Sequence, residues 1–141
     1  MAVLSRSVVT VSRTATVREA IETMAAAQVG SVVVVDNGLL EGIFTERDVM
    51  LRVVLEGRDP RTTEVEEVMT SPVQTVGLNT TGDEAMRLMI QEHIRHLPLV
   101  DEKGHAQAIV SMRTLLQEKV TELNQQLDSL ESYMTADGIG G

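Results

Sequence analysis

Apolar and polar positions along this chain follow two periods in turn, and the same alternation is written twice. Val8–Val11 is a short apolar run that reads as a strand. Thr16 then stands at a helix N-cap with Glu19 at the reciprocal position of a capping box. Val17, Ala20, Ile21 and Met24 recur behind it at helical spacing. Ser31–Val35 is a β-branched run without polar alternation, which predicts a strand buried on both faces. Asp36-Asn37-Gly38 is a tight-turn signal, because Asn and Gly tolerate positive φ. Leu39–Phe44 returns as the partner strand, and Thr45 caps a second helix with Val49, Met50, Val53 and Val54 inward.

The order recurs about 65 residues later, as a repeated unit must. Val8-Val9-Thr10-Val11 is answered by Val73-Gln74-Thr75-Val76, and Thr16-Val17-Arg18-Glu19-Ala20 by Thr81-Gly82-Asp83-Glu84-Ala85. Val35-Asp36 matches Val100-Asp101, and Gly42-Ile43-Phe44-Thr45 matches Ala108-Ile109-Val110-Ser111. The second copy therefore predicts a strand over Val73–Val76, a helix from about Gly82 to Glu92, and strands over Leu97–Val100 and Ala106–Ser111. Gly57–Glu67, with Pro60 among charged residues, reads as the linker. The expected fold class is α+β, two β-α-β-β-α units packed face to face, because one such unit cannot bury both faces of its sheet. The boundaries follow as 1–60 and 61–119 for the two repeats, with a C-terminal helix extension and tail over 120–141.

The last helix runs on past the point where its counterpart stops. Leu116, Val120, Leu123, Leu127, Leu130 and Met134 repeat at heptad spacing. Such a seam suits a dimer contact or a docking helix, and equally an amphipathic helix folded onto its own domain. Thr135–Gly141 reads as a frayed tail.

Composition narrows the chemistry. The 141 residues are 43% hydrophobic, almost all aliphatic, with Phe44 and Tyr133 the only aromatics. No stretch approaches the ~20 apolar residues of a membrane span, and no secretory signal pattern opens the chain. Cysteine is absent, which removes disulfides, thiol catalysis and thiolate metal sites; a cytoplasmic location is expected. The net charge of −9 argues against nucleic-acid binding, although a local basic patch for a phosphate is compatible with it.

Two stretches carry candidate chemistry. Thr45-Glu46-Arg47-Asp48 has two readings: Thr45 as N-cap with Asp48 completing a near-capping box, or Asp48 turned outward to accept both hydroxyls of a vicinal diol, with Thr45 adding a contact. The counterpart Ser111-Met112-Arg113-Thr114 keeps the cap but puts a hydroxyl in place of the carboxylate, which would weaken a diol site. In His93-Ile94-Arg95-His96-Leu97-Pro98, Arg95 offers a planar donor fork suited to phosphate oxygens and His96 a second donor. A solvated helix end is the competing reading there. His93, His96 and His105 fit no standard zinc spacing. No nucleophile elbow or phosphate-binding loop appears, so no enzyme activity is expected.

The motifs Gly42-Ile43-Phe44-Thr45-Glu46-Arg47-Asp48, Glu67-Val68-Met69-Thr70 and Arg95-His96-Leu97-Pro98-Leu99-Val100-Asp101, duplicated and in order, resemble a stand-alone tandem pair of CBS domains, a Bateman module, over roughly residues 3–119. The resemblance implies a regulatory module that binds an adenosine-containing nucleotide of the AMP, ADP or ATP class, AMP first among them, with no cofactor required. It also implies that the repeats pack sheet to sheet with pseudo-twofold symmetry, leaving two clefts between them. One would combine Thr45 and Asp48 with Thr75, Val76, Ile94, Arg95 and His96, the motif Asp holding ribose. The other would combine Ser111 and Thr114 with Thr10, Val11, Val29, Gly30 and Ser31, and is expected to be the poorer. A homodimer is implied as well, with a protein target unnamed. The alternative is a constitutive interaction or dimerisation module acting through the C-terminal helix with empty clefts.

Overall fold

The computed structural model describes residues 6–136. Its elements are β1 (Arg6–Ser7), β2 (Thr10–Ser12), α1 (Val17–Ala27), β3 (Ser31–Asp36), β4 (Leu39–Thr45) and α2 (Glu46–Asp48), which continues in π-helical geometry over Val49–Val54. A 3-10 turn at Val65–Glu67 leads to α3 (Gly82–Glu92), β5 (His96–Val100), β6 (Ala106–Ser111) and α4 (Met112–Ala136). This is the mixed α+β architecture of two repeats and a C-terminal helix that the patterning predicts.

Each repeat builds its own sheet and core. In the first, β2 pairs parallel with β3, and β3 pairs antiparallel with β4. Ser31, Val32, Val33 and Val34 are all buried, as a run without polar alternation requires. The β3–β4 turn puts Asn37 at φ 52° and Gly38 at φ 81°, the two positive values of a hairpin turn. Thr16 caps α1 by accepting from the Glu19 amide at 3.1 Å. Only that half of the expected box forms. Val17, Ala20 and Met24 then pack with Val32, Val34, Phe44 and Val53. Behind Thr45, Val53 is buried and Val49 packs against the core, whereas Met50 and Val54, expected inward, are exposed.

The linker is no free tether. Val65 and Val68 are buried in the first core, and the Val17 amide donates to the Thr63 carbonyl. Thr70 then pairs with Ile43 on the outer edge of β4. A Cβ at Gly42 would lie 2.8 Å from the Thr70 carbonyl oxygen, so this close approach needs glycine.

In the second repeat β5 and β6 pair antiparallel, and β1 crosses over to cover the free edge of β6. The strand expected at Val73–Val76 does not form; only Val76 pairs, bridging parallel to Leu99. Its amide donates to the Pro98 carbonyl, and the Val100 amide donates back to Val76. One step earlier the ladder would need an N–H at position 98, and proline has none. In the first repeat that position is Val33, whose amide bonds Val9 at 3.0 Å. The two hairpin turns also bond each other, Leu40 N–H to the Gly104 carbonyl and Ala106 N–H to the Gly38 carbonyl.

α4 extends without interruption through Ala136. Leu115 is buried, and Lys119 reaches Asp83 at 3.6 Å. Leu116, Val120, Leu123, Leu127, Leu130 and Met134 are all exposed, so the seam is not folded onto its own domain. Of the tail expected over Thr135–Gly141, Thr135 and Ala136 continue α4, and the rest lies outside the described residues. No helix among the described residues is long and apolar enough to cross a membrane.

Candidate functional site

The two motif turns are built alike and finished differently. After β4, Thr45 Oγ1 accepts from the Asp48 amide, and Asp48 Oδ2 accepts from the Thr45 amide at 3.1 Å, a complete capping box. The Asp48 side chain turns inward and is only 6% exposed. Thr70 Oγ1 donates to its two oxygens at 3.1 and 3.3 Å, and Arg52 Nε lies 3.7 Å away. The outward diol-accepting orientation is thus not the one found. After β6, Ser111 Oγ accepts from the Thr114 amide and donates to Thr114 Oγ1 at 2.9 Å. That turn keeps the cap and leaves no carboxylate.

A wide cleft of about 1270 Å³ opens between the repeats beside this second turn. The first repeat contributes Val9, Val29, Gly30, Ser31 and Glu46; the second contributes Arg95, His96, Ile109, Ser111, Arg113 and Thr114, with Leu116, Gln117 and Val120 of α4 as a further wall. The Glu46 amide donates to the Gly30 carbonyl, and its pseudo-symmetric counterpart, the Met112 amide, donates to the Arg95 carbonyl at 2.8 Å. A Cβ at Gly30 would meet Glu46 Oε1, the far end of a flexible side chain, and lie 3.8 Å from His96 Nε2. Burial lowers the His96 pKa from its ordinary value, opposed by the Glu46 carboxylate and reinforced by the Arg95 guanidinium. The charged lining is one acid against Arg95 and Arg113, a locally basic wall in an acidic chain.

The residues nominated by sequence are therefore divided. Arg95 and His96 line the wide cleft, but with Ser111 and Thr114 rather than with Thr45 and Asp48. Thr75 and Val76 border a separate depression of about 390 Å³ with Thr80, Glu84 and Arg87. Ile94 packs against the second core. Of the opposite cleft's residues, Val29, Gly30 and Ser31 line the wide cleft, while Val11 is in the first core. Neither cavity is lined by Thr45 or Asp48. The cleft ranked poorer on its motif is thus the wide one, and it takes the basic pair from the other set. Glu46 escaped the sequence reading; its place between the motif Thr and Asp was the available signal. The three histidines stand apart in role. His93 is the left-handed C-cap of α3, His105 faces Asp101, and His96 lines the cleft. No group of three or more potential metal ligands occurs among the described residues.

Two duplicated α+β units with a cleft between them define a tandem-repeat module. The CBS domain family matches residues 2–55 and 65–120, and the chain belongs to that family. An uncharacterized protein of Methanopyrus kandleri is 39% identical over 116 residues, which is 82% of this chain and 59% of that protein. The chain thus spans about three-fifths of that relative's length. A putative signal-transduction protein with CBS domains from Burkholderia ambifaria superposes with a TM-score of 0.77 at 37% identity, covering 83% of this chain and 85% of that one. The cytosolic domain of the Mg2+ channel MgtE, solved in complex with ATP, gives 0.65 at 32% identity, over 78% of this chain and 44% of that one.

Proposed function

We propose that this CBS pair is a regulatory module that binds an adenosine-containing nucleotide in the wide cleft. The observation that carries this reading is the cleft wall itself: Arg95, Arg113 and His96 line one cleft in a protein of net charge −9. Arg95 and Arg113 hold the phosphate, as guanidinium forks suit its oxygens. His96 adds a donor. Ser111 and Thr114 offer hydroxyls to the ribose, while Val29, Ile109 and Val120 give the base an aliphatic slot, since no aromatic lines the cleft. The ATP complex of the MgtE cytosolic domain supports a ligand of this class. AMP comes first within it, in a cytoplasmic setting. Thr75, Val76 and Ile94 lie away from this ligand, and Thr45 and Asp48 do not line its cleft; the ribose role that the family resemblance implies for them would belong to a second ligand on their own side of the pair. For Asp48 to take a ribose diol, the Thr70 hydroxyl must rotate off both carboxylate oxygens.

Calorimetry with AMP, ADP, ATP, NAD and S-adenosylmethionine tests the proposal. At least one should bind saturably, and Arg95→Ala should weaken it at least tenfold, about 1.4 kcal/mol, as loss of a charge-assisted pair implies. If none of the five binds, the nucleotide reading falls. Asp48→Ala with unaltered affinity would remove the ribose role from that residue. A second reading, an interaction module acting through α4, is favoured by one observation: the helix's apolar seam is uncovered along its length. The implied homodimer draws its support from the same exposed side chains.

A further inference from the structure

The wide cleft carries one acid among its basic groups. Of its described lining residues, Arg95, Arg113 and His96 are basic and Glu46 alone is acidic. Among the described residues, Arg95, Arg113 and Glu46 enter no ion pair, so their charges act on whatever occupies the cleft.

The position of Glu46 follows from the repeat. Its amide donates to the Gly30 carbonyl at 3.1 Å, and the matching bond of the second repeat runs from the Met112 amide to the Arg95 carbonyl. Each bond docks the first residue of a helix against the residue that precedes a strand. At those two places the first repeat presents a carboxylate and no side chain, the second a thioether and a guanidinium. The missing side chain leaves space for the acid. A Cβ at Gly30 would meet Glu46 Oε1 and lie 3.8 Å from His96 Nε2, so carboxylate and imidazole stand close to one another over Gly30. Burial lowers the His96 pKa, and the Glu46 carboxylate is the group that opposes it. At neutral pH the imidazole is therefore uncharged and adds nothing to the positive side of the wall.

We infer that Glu46 is a specificity-determining residue of this cleft, setting how much negative charge the ligand can carry and favouring a nucleoside monophosphate over the di- and triphosphate. The inference rests on the nucleotide reading and deepens it. Arg95 and Arg113 supply the positive charge of the wall, and one terminal phosphate, at about −1.5 to −2, already matches it. Each further phosphate meets no additional cation, only the Glu46 carboxylate from the opposite repeat. In a solvent-open cleft, repulsion between unit charges a few ångströms apart corresponds to about tenfold in affinity.

Calorimetry on the full chain with AMP, ADP and ATP, at neutral pH in magnesium-free buffer with a chelator, tests this. The wild type should bind AMP tightest and ATP weakest. Glu46→Gln keeps the backbone bond to Gly30 and the length of an exposed side chain, so it should fold. It should tighten ATP about tenfold and AMP by less than about threefold, narrowing the ranking. Glu46→Lys should reverse the order and place ATP ahead of AMP. An AMP-to-ATP affinity ratio that Glu46→Gln leaves unchanged overturns the inference while the nucleotide reading stands, as does a wild type that prefers ATP. Tightening of ATP by added Mg2+ that disappears in Glu46→Gln would overturn it as well, because the carboxylate would then share a cation with the phosphates instead of repelling them. If none of the three nucleotides binds, the inference falls together with the nucleotide reading.

Discussion

His96 is the residue whose environment makes the sharpest statement. Burial outweighs the pull of Glu46, so the folded state holds its pKa below the ordinary 6.5. Below that value the unfolded chain takes up a proton that the folded chain resists, so the His96 contribution favours folding less as pH falls from about 6.5 towards the folded-state pKa. Above 6.5 the residue is neutral in both states and contributes no slope. Urea unfolding at about pH 7.5 and 5.5 should therefore show a loss of stability that His96→Gln reduces. An anionic phosphate in the cleft would favour protonated His96, so nucleotide affinity should rise over the same interval. Asp48 is a different case. Its carboxylate closes a capping box, accepts from Thr70 and faces Arg52, so Asp48→Ala should cost about 2 kcal/mol in a denaturant titration. A neutral substitution would show that the box and the Thr70 contact contribute little. Arg95 and His96, which line the cleft, were legible as candidates because donors cluster there in an otherwise acidic chain. Their companions were not, because Thr70, on the second-repeat side of the 60/61 boundary, folds back to occupy the Asp48 carboxylate. No local pattern around Asp48 announces that return.

At the scale of elements, the legible parts are those fixed by local physics. α1 and α3 begin at threonine caps and end at left-handed Gln28 and His93, and β3 is buried as its β-branched run demands. The misread parts depend on a neighbour. Val73–Val76 repeats the apolar pattern of Val8–Val11, yet pairing requires a donor on the adjacent strand, and Pro98 removes it. Pro98→Val should extend the ladder by one step and give a slowly exchanging amide at position 98, bonded to Gln74 as Val33 is to Val9. Fast exchange at that amide would mean that something other than the missing donor keeps the segment apart. Met50 and Val54 were misread for a related reason. Apolar character sets a side chain against water, but only the chain's assembly says whether the cover comes from its own core or from another surface.

For the whole molecule, the repeats are distinct in sequence and interlocked in space. β1 belongs to the first repeat by order and to the second sheet by pairing, while Val65 and Val68 complete the first core from beyond the 1–60 boundary. The hairpin turns bond each other, and the cleft takes its walls from both units. Neither repeat can open without breaking contacts that the other supplies. Calorimetric unfolding should therefore be a single transition, with van't Hoff and calorimetric enthalpies in agreement; two resolved transitions would show that the repeats behave as independent domains. The same interlock dictates how a ligand must act. A nucleotide in the proposed cleft, which Arg95 and Ser111 line on one side and Gly30 and Ser31 on the other, would bind only when both repeats are folded and apposed. At a hundredfold excess over its Kd it should add about 2.7 kcal/mol to that one transition. For a chain of this length such a gain raises Tm by roughly 5–10 °C. Removing β1 should lower Tm by uncovering the edge of β6, and should weaken nucleotide binding as well, because β6 carries Ile109 and Ser111 to the cleft. If the ligand-induced rise survived that truncation undiminished, the cleft would not depend on the crossed strand, and the coupling between the two repeats would have to run through the hairpin-turn bonds and the linker contacts.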